Sequence, residues 1–249
     1  MSPAQPTGSA HAPPDFFATT HWTVVLAAGG TPAPEADAAM AELCRTYWYP
    51  LYAYVRRRGC SREDAEDLTQ GFFVRLLSGH DLDGLSSDKG RFRAFLLAAL
   101  KHYLANEWDR ARRQKRGGGI PHLSLDWRDA DTRYCQDVVD PLSPDRAYDR
   151  AWAVALLEKV IGRLRDESAN AGNAAPFETL KPFLTGGRKA MAYADAAAAL
   201  GMAEPAARVA VHRLRRRYRE LLREEICHTL TDPALADDEL RALFGAFSA

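Results

Sequence analysis

The apolar residues of this chain recur with the period of α-helices. Six stretches carry them at three- and four-residue steps: 36–58, 61–77, 91–116, 145–164, 193–200 and 205–229. Such spacing puts apolar side chains on one face of a helix, and no stretch shows the sustained alternation of a half-buried β-strand. The pattern predicts an all-α protein.

Glycine and proline divide the predicted helices into two groups. Three glycines and a proline at 117–121 end the third helix, and an acidic stretch with little periodicity follows. We therefore expect two helical domains joined by a flexible acidic linker. The expected order is a disordered tail, a first domain, the linker, a second domain and a C-terminal extension, at 1–15, 16–116, 117–144, 145–230 and 231–249. A short helix around Trp22 is expected to pack on the first domain.

Charge is balanced overall but separated along the chain. The 33 basic and 33 acidic residues give a net charge of zero, which alone would argue against a nucleic-acid partner. However, 91–116 holds eight Lys or Arg against two acids, and 205–223 holds seven Arg against one. Two such basic segments are the pattern expected of surfaces that face phosphate.

Several functional classes are disfavoured by composition. The four cysteines are widely spaced without a CxxC pair, so the sequence predicts neither a metal site nor a disulfide framework. The N-terminus lacks the basic and apolar regions of a secretory signal, and no apolar run is long enough to cross a bilayer. We expect a cytoplasmic protein without membrane insertion, cofactor or metal.

Residues 193–229 have the pattern of a helix-turn-helix. A short apolar helix is followed by Gly201 at the turn and by Pro205 in the favoured first position of a longer helix. A helical wheel groups as its buried face Ala207, Val211, Leu214, Tyr218 and Leu222. The opposite face, expected to meet a DNA major groove, holds Arg208, His212, Arg213, Arg216 and Arg219. Arginine pairs with phosphates and reads guanine edges at about 1 to 3 kcal/mol per good contact. A solvated basic helix is the alternative, although it would not require the glycine turn.

The third predicted helix carries both aromatic and basic residues. Phe92, Phe95 and Tyr103 are expected in the core, whereas Trp108 is the better candidate for stacking on unpaired bases. The residues predicted to contact nucleic acid are Lys101, Asn106, Trp108, Arg110, Arg112 and Arg113.

The helix at 61–77 begins with acidic residues. Ser61 is its expected N-cap, and acids in a first turn are favoured by the helix dipole. Asp64, Asp67 and Gln70 are expected to lie off the apolar stripe. No His or Asn stands at ligand spacing, so a docking or solvated face is predicted rather than a metal or acid–base site.

These three segments, in this order, resemble the extracytoplasmic-function (ECF) sigma factors of bacterial RNA polymerase, over about 36–223. DAEDLTQGFFVRLL resembles the region two helix that docks on core RNA polymerase, with Asp64, Asp67 and Gln70 at matching polar positions. KGRFRAFLLAALKHYLANEWDRARRQKR is similar to the part that melts and reads the minus-ten element. ALGMAEPAARVAVHRLRRRYRELLREE resembles region four, which reads the minus-thirty-five element. The resemblance implies promoter DNA and core polymerase as partners, no catalytic residues, and a linker that threads toward the polymerase cleft.

The chain also departs from the family pattern. Gly71 stands where an acid is frequent, and Ala206 and Ala210 stand where many members have Thr and Arg. An anti-sigma factor or a kinase is a further candidate partner, and we hypothesise that phosphorylation of Thr69 adds charge to the docking face.

Two other classes of protein are weighed against this interpretation. A conventional helix-turn-helix regulator would bind its operator alone, usually as a dimer on paired half-sites. A nucleic-acid enzyme would use the cluster Glu63, Asp64, Glu66 and Asp67 and would need a metal ion.

Overall fold

The computed structural model describes residues 34–77, 90–113, 142–185 and 192–248, and the regular elements among them are helices. The α-helices are α1 (Pro34–Arg57), α2 (Arg62–Leu77), α3 (Phe92–Arg113), α4 (Pro144–Asn170), α5 (Ala174–Leu180), α6 (Pro182–Thr185), α7 (Tyr193–Ala199), α8 (Glu204–His228) and α9 (Ala236–Gly245), with a 3-10 turn at Pro233–Leu235. The prediction of an all-α protein is confirmed for these residues. The predicted N-terminal tail, the Trp22 helix and most of the predicted linker lie outside them.

Two serines cap the N-termini of helices, and the first of these caps, at Ser61, was predicted from the sequence. The amide of Asp64 donates to Ser61 Oγ at 3.1 Å, and the Ser61 hydroxyl donates to the Asp64 carboxylate at 2.8 Å. Ser143 caps α4 through the amide of Arg146, with Pro144 in the first turn. Each such cap stabilises its helix by about 0.5 to 2 kcal/mol. Pro50 lies inside α1, which is one continuous helix.

The main hydrophobic core crosses the predicted domain boundary. Helix α4 packs along α1, and the ends of α8 and α9 join the same core. Its largest fully buried side chains include Tyr47 and Tyr52 from α1, Phe92 from α3, and Tyr148 and Trp152 from α4. The first helix of the predicted second domain is thus packed against the predicted first domain.

A smaller core lies under the helix-turn-helix. It contains Leu180, Phe183, Ala196 and Val211, and Leu214 contacts both this cluster and the main core. Helix α8 therefore links the two cores, with its beginning in the small one and its end in the large one.

The C-terminal helix α9 is only partly covered. Leu243 is fully buried and Leu240 is partly buried in the main core, whereas Phe244 and Phe247 are 57% and 43% exposed. Among the described helices, none is both long and apolar enough to span a membrane.

Candidate nucleic-acid interface

The predicted helix-turn-helix is present with the expected boundaries. Helix α7 ends in a turn closed by the amides of Gly201 and Met202, which donate to the carbonyls of Ala198 and Ala197 at 3.2 and 3.0 Å. Gly201 has a φ of +63°, a conformation that favours glycine. Helix α8 then begins, with Pro205 in its first turn.

The two faces of α8 are separated as the wheel predicts. Ala207, Val211 and Leu222 are buried, and Leu214 and Tyr218 are partly buried against the core. All members of the predicted DNA-contacting set are exposed: Arg208, His212, Arg213, Arg216 and Arg219. The side chains that could meet a major groove therefore share one surface.

Three other arginines of α8 have structural roles instead. Arg215 donates to the carbonyl of Phe183 at 3.0 and 3.2 Å. Arg217 forms a two-pronged pair with Glu167 of α4 at 2.7 and 2.9 Å. Arg223 pairs with Asp237 at 2.5 Å. The arginines of 205–223 are thus of two kinds: those on the outer face, and those that bind other parts of the same chain. A count of arginines in the sequence does not separate the two kinds.

The members of the outer face differ in their present contacts. Arg208 pairs with Glu204 at 2.6 Å and lies over the ring of Tyr193 at 4.7 Å, while Arg216 pairs with Glu220 at 3.0 Å. Within the described part of the chain, His212, Arg213 and Arg219 form no ion pair. These three can meet an anionic partner without first giving up a contact.

One exposed apolar residue on this face is not among the sequence-predicted contacts. Val209 is 51% exposed and lies between Arg208 and the His212–Arg213 pair. The helical wheel places Val209 off the buried stripe, and this position could have identified it as a surface residue from the sequence. An apolar side chain on a base-reading helix suits the methyl group of thymine.

Helix α3 also presents a mixed surface. Phe92, Phe95 and Tyr103 are buried, as predicted, at 0%, 6% and 4% exposure. Trp108 is half-buried against the core, and the guanidinium of Arg58 lies 5.2 Å from its ring centre. Its stacking surface is therefore partly occupied by the protein itself.

The polar candidates on α3 are exposed where they are described. Lys101, Asn106 and Arg110 are exposed, and Arg110 pairs with Glu107 within the helix at 2.9 Å. Lys101 reaches Asp145 of α4 at 2.5 Å. Arg112 and Arg113 occupy the last turn of α3, and their side chains lie outside the described residues.

The first two arginines of the basic 91–116 segment face inward. Arg93 pairs with Glu239 at 2.6 Å and with Asp149, and it lies over the ring of Trp152 at 4.5 Å. Burial alone would lower the pKa of Arg93, but the bonded carboxylates raise it above its ordinary value. Arg91 reaches Glu239 at 3.2 Å. These two charges bind protein carboxylates in this structure and are not part of a phosphate-facing surface.

On α2, the acidic surface is narrower than expected. Asp64 and Asp67 are exposed, but Gln70 is only 4% exposed, so the expectation that it lies off the apolar stripe is wrong. The buried sector of α2 is wide enough to include Glu66, which is held by Arg62 at 2.9 Å. In the described residues no group of three or more potential metal ligands comes together.

Thr69 is buried as well. Its side chain is inaccessible, and its hydroxyl donates to the carbonyl of Ala65 at 2.7 Å. The hypothesis that a phosphate on Thr69 adds charge to the docking face does not fit this structure, because the Thr69 hydroxyl is buried and bonded to the backbone of α2.

The glycine at 71 is explained by its neighbour on α3. A Cβ atom at Gly71 would lie 2.3 Å from the hydroxyl oxygen of Tyr103, well inside contact distance. Burial, followed by the charge of Glu107, raises the pKa of this tyrosine to about 12, so it keeps its proton. An acid at position 71 is incompatible with Tyr103 as it is placed here.

Comparison with known proteins finds a likeness over one part of this structure. Residues 43–114 match the family model described as sigma-70 region 2. No curated protein and no solved structure matches the chain. The matched residues comprise most of α1, all of α2 and α3, and the segment between them. The segment 43–114 is therefore similar to region 2 of the sigma-70 family.

Proposed function

We propose that this chain is a sigma factor of the ECF type, which binds core RNA polymerase and directs it to promoters. The observation that carries the proposal is the combination, on one chain, of a sigma-70 region 2 segment and a later helix-turn-helix with an exposed arginine face.

In this proposal each surface has one partner. The exposed carboxylates Asp64 and Asp67 of α2 dock on core polymerase, and Gln70 supports that helix from inside. The exposed side chains of α3 contact the minus-ten element, with Trp108 engaging unpaired bases once Arg58 moves aside. The outer face of α8 reads the minus-thirty-five element. Catalysis is left to the polymerase, so the chain itself needs no cofactor or metal.

Polymerase docking is tested by reversing one charge. Asp67→Arg changes an exposed residue of α2, so folding should be unaffected while affinity for core polymerase falls at least tenfold. Asp166→Arg makes the same change at an exposed position of α4 and serves as the control. Equal affinity of both variants would remove α2 from the docking surface, and the absence of polymerase binding by the wild type would refute the sigma proposal.

Promoter reading is tested on α8. Arg213→Ala removes an exposed arginine that pairs with no described residue. We expect the variant to lose more transcription from promoters with a strong minus-thirty-five element than from other promoters. A uniform loss across promoters would instead identify Arg213 as a phosphate contact. Arg217→Ala, which removes an internal pair with Glu167, is the control and should not change promoter preference.

A conventional helix-turn-helix regulator is the second candidate, because the helix pair around Gly201 is common to both. Such a protein would bind duplex DNA tightly by itself. Tight, sequence-specific binding without polymerase, together with no affinity for polymerase, would favour this candidate.

A further inference from the structure

Arg208 of α8 is held by two residues that are not among the predicted DNA contacts. Its Nε and Nη2 atoms donate to one carboxylate oxygen of Glu204, at 3.1 and 2.6 Å. Its guanidinium carbon lies 4.7 Å from the ring centre of Tyr193, the first residue of α7. No other described residue accepts a hydrogen bond from Arg208. The guanidinium therefore has a defined place in the unbound protein, although 61% of the side chain is exposed.

The ring of Tyr193 is itself fixed by the smaller core. It stacks on Phe183 of α6, with the ring centres 4.9 Å apart and the ring planes inclined by 26°. Phe183 is buried, and its carbonyl accepts two hydrogen bonds from Arg215 of α8. Because this series of contacts begins and ends on α8, the Tyr193 ring keeps its place relative to Arg208.

The pair with Glu204 leaves one edge of the Arg208 guanidinium free. Arginine carries five N–H donors in a planar fork. Glu204 binds the edge formed by Nε and one hydrogen of Nη2, so the edge formed by Nη1 and the other hydrogen of Nη2 remains available. In the major groove, guanine is the base that presents two neighbouring acceptors, N7 and O6. The free edge of Arg208 matches these two acceptors.

Arg208 also lies where a base contact is expected. It is about one turn from the beginning of α8, and helix-turn-helix proteins contact base edges with the first residues of their second helix. Arg216 lies about three turns from that beginning, and no described ring contacts it. Its partner Glu220 follows it in the sequence, whereas Glu204 precedes Arg208, which is the more favourable order for a helical pair. Arg208 is therefore the better ordered of these two arginines.

We propose that Tyr193 and Glu204 are positioning residues, which hold the Arg208 guanidinium so that its free edge reads one guanine of the minus-thirty-five element. The inference rests on the proposed sigma function and adds two residues to it. Ordering the Arg208 side chain before binding lowers the entropy that is lost when it meets the base. A guanidinium that is held in place is also less able to turn to a neighbouring base. Tyr193 and Glu204 thus act on base selection through Arg208, without touching DNA themselves.

A promoter library tests the proposal with the full chain bound to core polymerase. The templates are randomised across both promoter elements and carry barcodes, so sequencing the transcripts gives the base preference at every position. We expect the wild type to prefer guanine by about tenfold or more at one position of the minus-thirty-five element, the value of a good two-pronged contact. Arg208→Ala should remove the preference at that position.

The two positioning residues are tested at the position that Arg208 reads. Tyr193→Leu and Glu204→Ala should each lower the guanine preference there by about threefold or more and leave the preferences at other positions unchanged. A defect in folding would instead lower transcription from all templates equally. Tyr193→Phe keeps the ring and should retain the preference. Glu220→Ala breaks the corresponding pair of Arg216 and serves as the matched control. Glu204→Ala changes a side chain that is 42% exposed, so it tests the proposal even if Tyr193→Leu does not fold.

The possible results distinguish this inference from the proposed function. An equal loss of transcription across all sequences in Arg208→Ala would identify Arg208 as a phosphate contact and would overturn the inference. A guanine preference that is lost in Arg208→Ala but kept in both Tyr193→Leu and Glu204→Ala would show that these two residues do not position Arg208. Either result leaves the sigma function intact. Failure of the wild type to bind core polymerase would refute the proposed function and the inference together.

Discussion

The contact between Gly71 and Tyr103 makes the effect of one substitution depend on the other. Gly71→Ala adds a Cβ that would lie 2.3 Å from the Tyr103 hydroxyl oxygen, while the next nearest atom, Tyr103 Cζ, is at 3.4 Å. The ring cannot easily retreat, because it is 4% exposed and packs against Phe72 with ring centres 5.9 Å apart. Removing the hydroxyl with Tyr103→Phe therefore leaves ordinary contact at position 71.

The magnitude follows from two opposing effects. Alanine in place of glycine inside a helix stabilises by about 1 kcal/mol. Forcing an extra carbon into a packed site costs about 1 to 3 kcal/mol. We expect Gly71→Ala to be neutral or destabilising by up to about 2 kcal/mol with Tyr103 present, and stabilising by about 1 kcal/mol in the Tyr103→Phe background. The coupling energy between the two sites should then be about 1 to 3 kcal/mol, as is found for residues in contact.

Urea unfolding of the wild type, the two single variants and the double variant measures this coupling. Gly162→Ala is the matched control, because a Cβ at that helical glycine of α4 meets no atom within 4 Å. It should stabilise equally in both backgrounds. If the effect of Gly71→Ala differs by less than about 0.5 kcal/mol between backgrounds, the collision does not explain the glycine. A coupling of the expected size would show that the Tyr103 hydroxyl disfavours a side chain at position 71.

Three further outcomes follow from the described contacts. Replacing single thymines of the minus-thirty-five element by deoxyuridine should reduce wild-type transcription about fourfold at one position, because one buried methyl contributes about 0.8 kcal/mol. Val209→Ala should abolish that sensitivity. Sensitivity that persists in the variant would assign the methyl contact to another residue. Burial tends to raise the pKa of Glu225, but Lys159 at 2.8 Å and Arg163 lower it below its ordinary value of 4.5. The stability contributed by the pairing of Glu225 with these two cations is present at neutral pH and is lost as the pH falls below 4.5. Between neutral and acidic pH, the free energy of unfolding should therefore fall less for Glu225→Gln than for the wild type. Arg217→Ala should lower the thermal midpoint without changing promoter preference, and a changed preference would place Arg217 at the DNA.

Much of this structure is determined locally and is readable from the sequence. The boundaries of α7 and α8, the Ser61 cap and the two faces of α8 depend on residues within about two helical turns of one another, and periodicity captures such relations. The core positions of Phe92, Phe95 and Tyr103 follow from the same rule. The region 2 resemblance is carried by local motifs as well, which is why it is recognisable without a structure.

Contacts between distant segments were decided only by the tertiary structure. Arg91 and Arg93 belong to a basic segment, yet they bind Glu239, which lies 146 residues beyond Arg93. Gln70 and Thr69 are polar residues that the packing of α2 buries. The sequence by itself determined which residues are helical and which face of each helix is apolar, because these depend on neighbours along the chain. Which helix covers each face, and which charge meets which, depends on how the whole chain packs, and no local pattern records it.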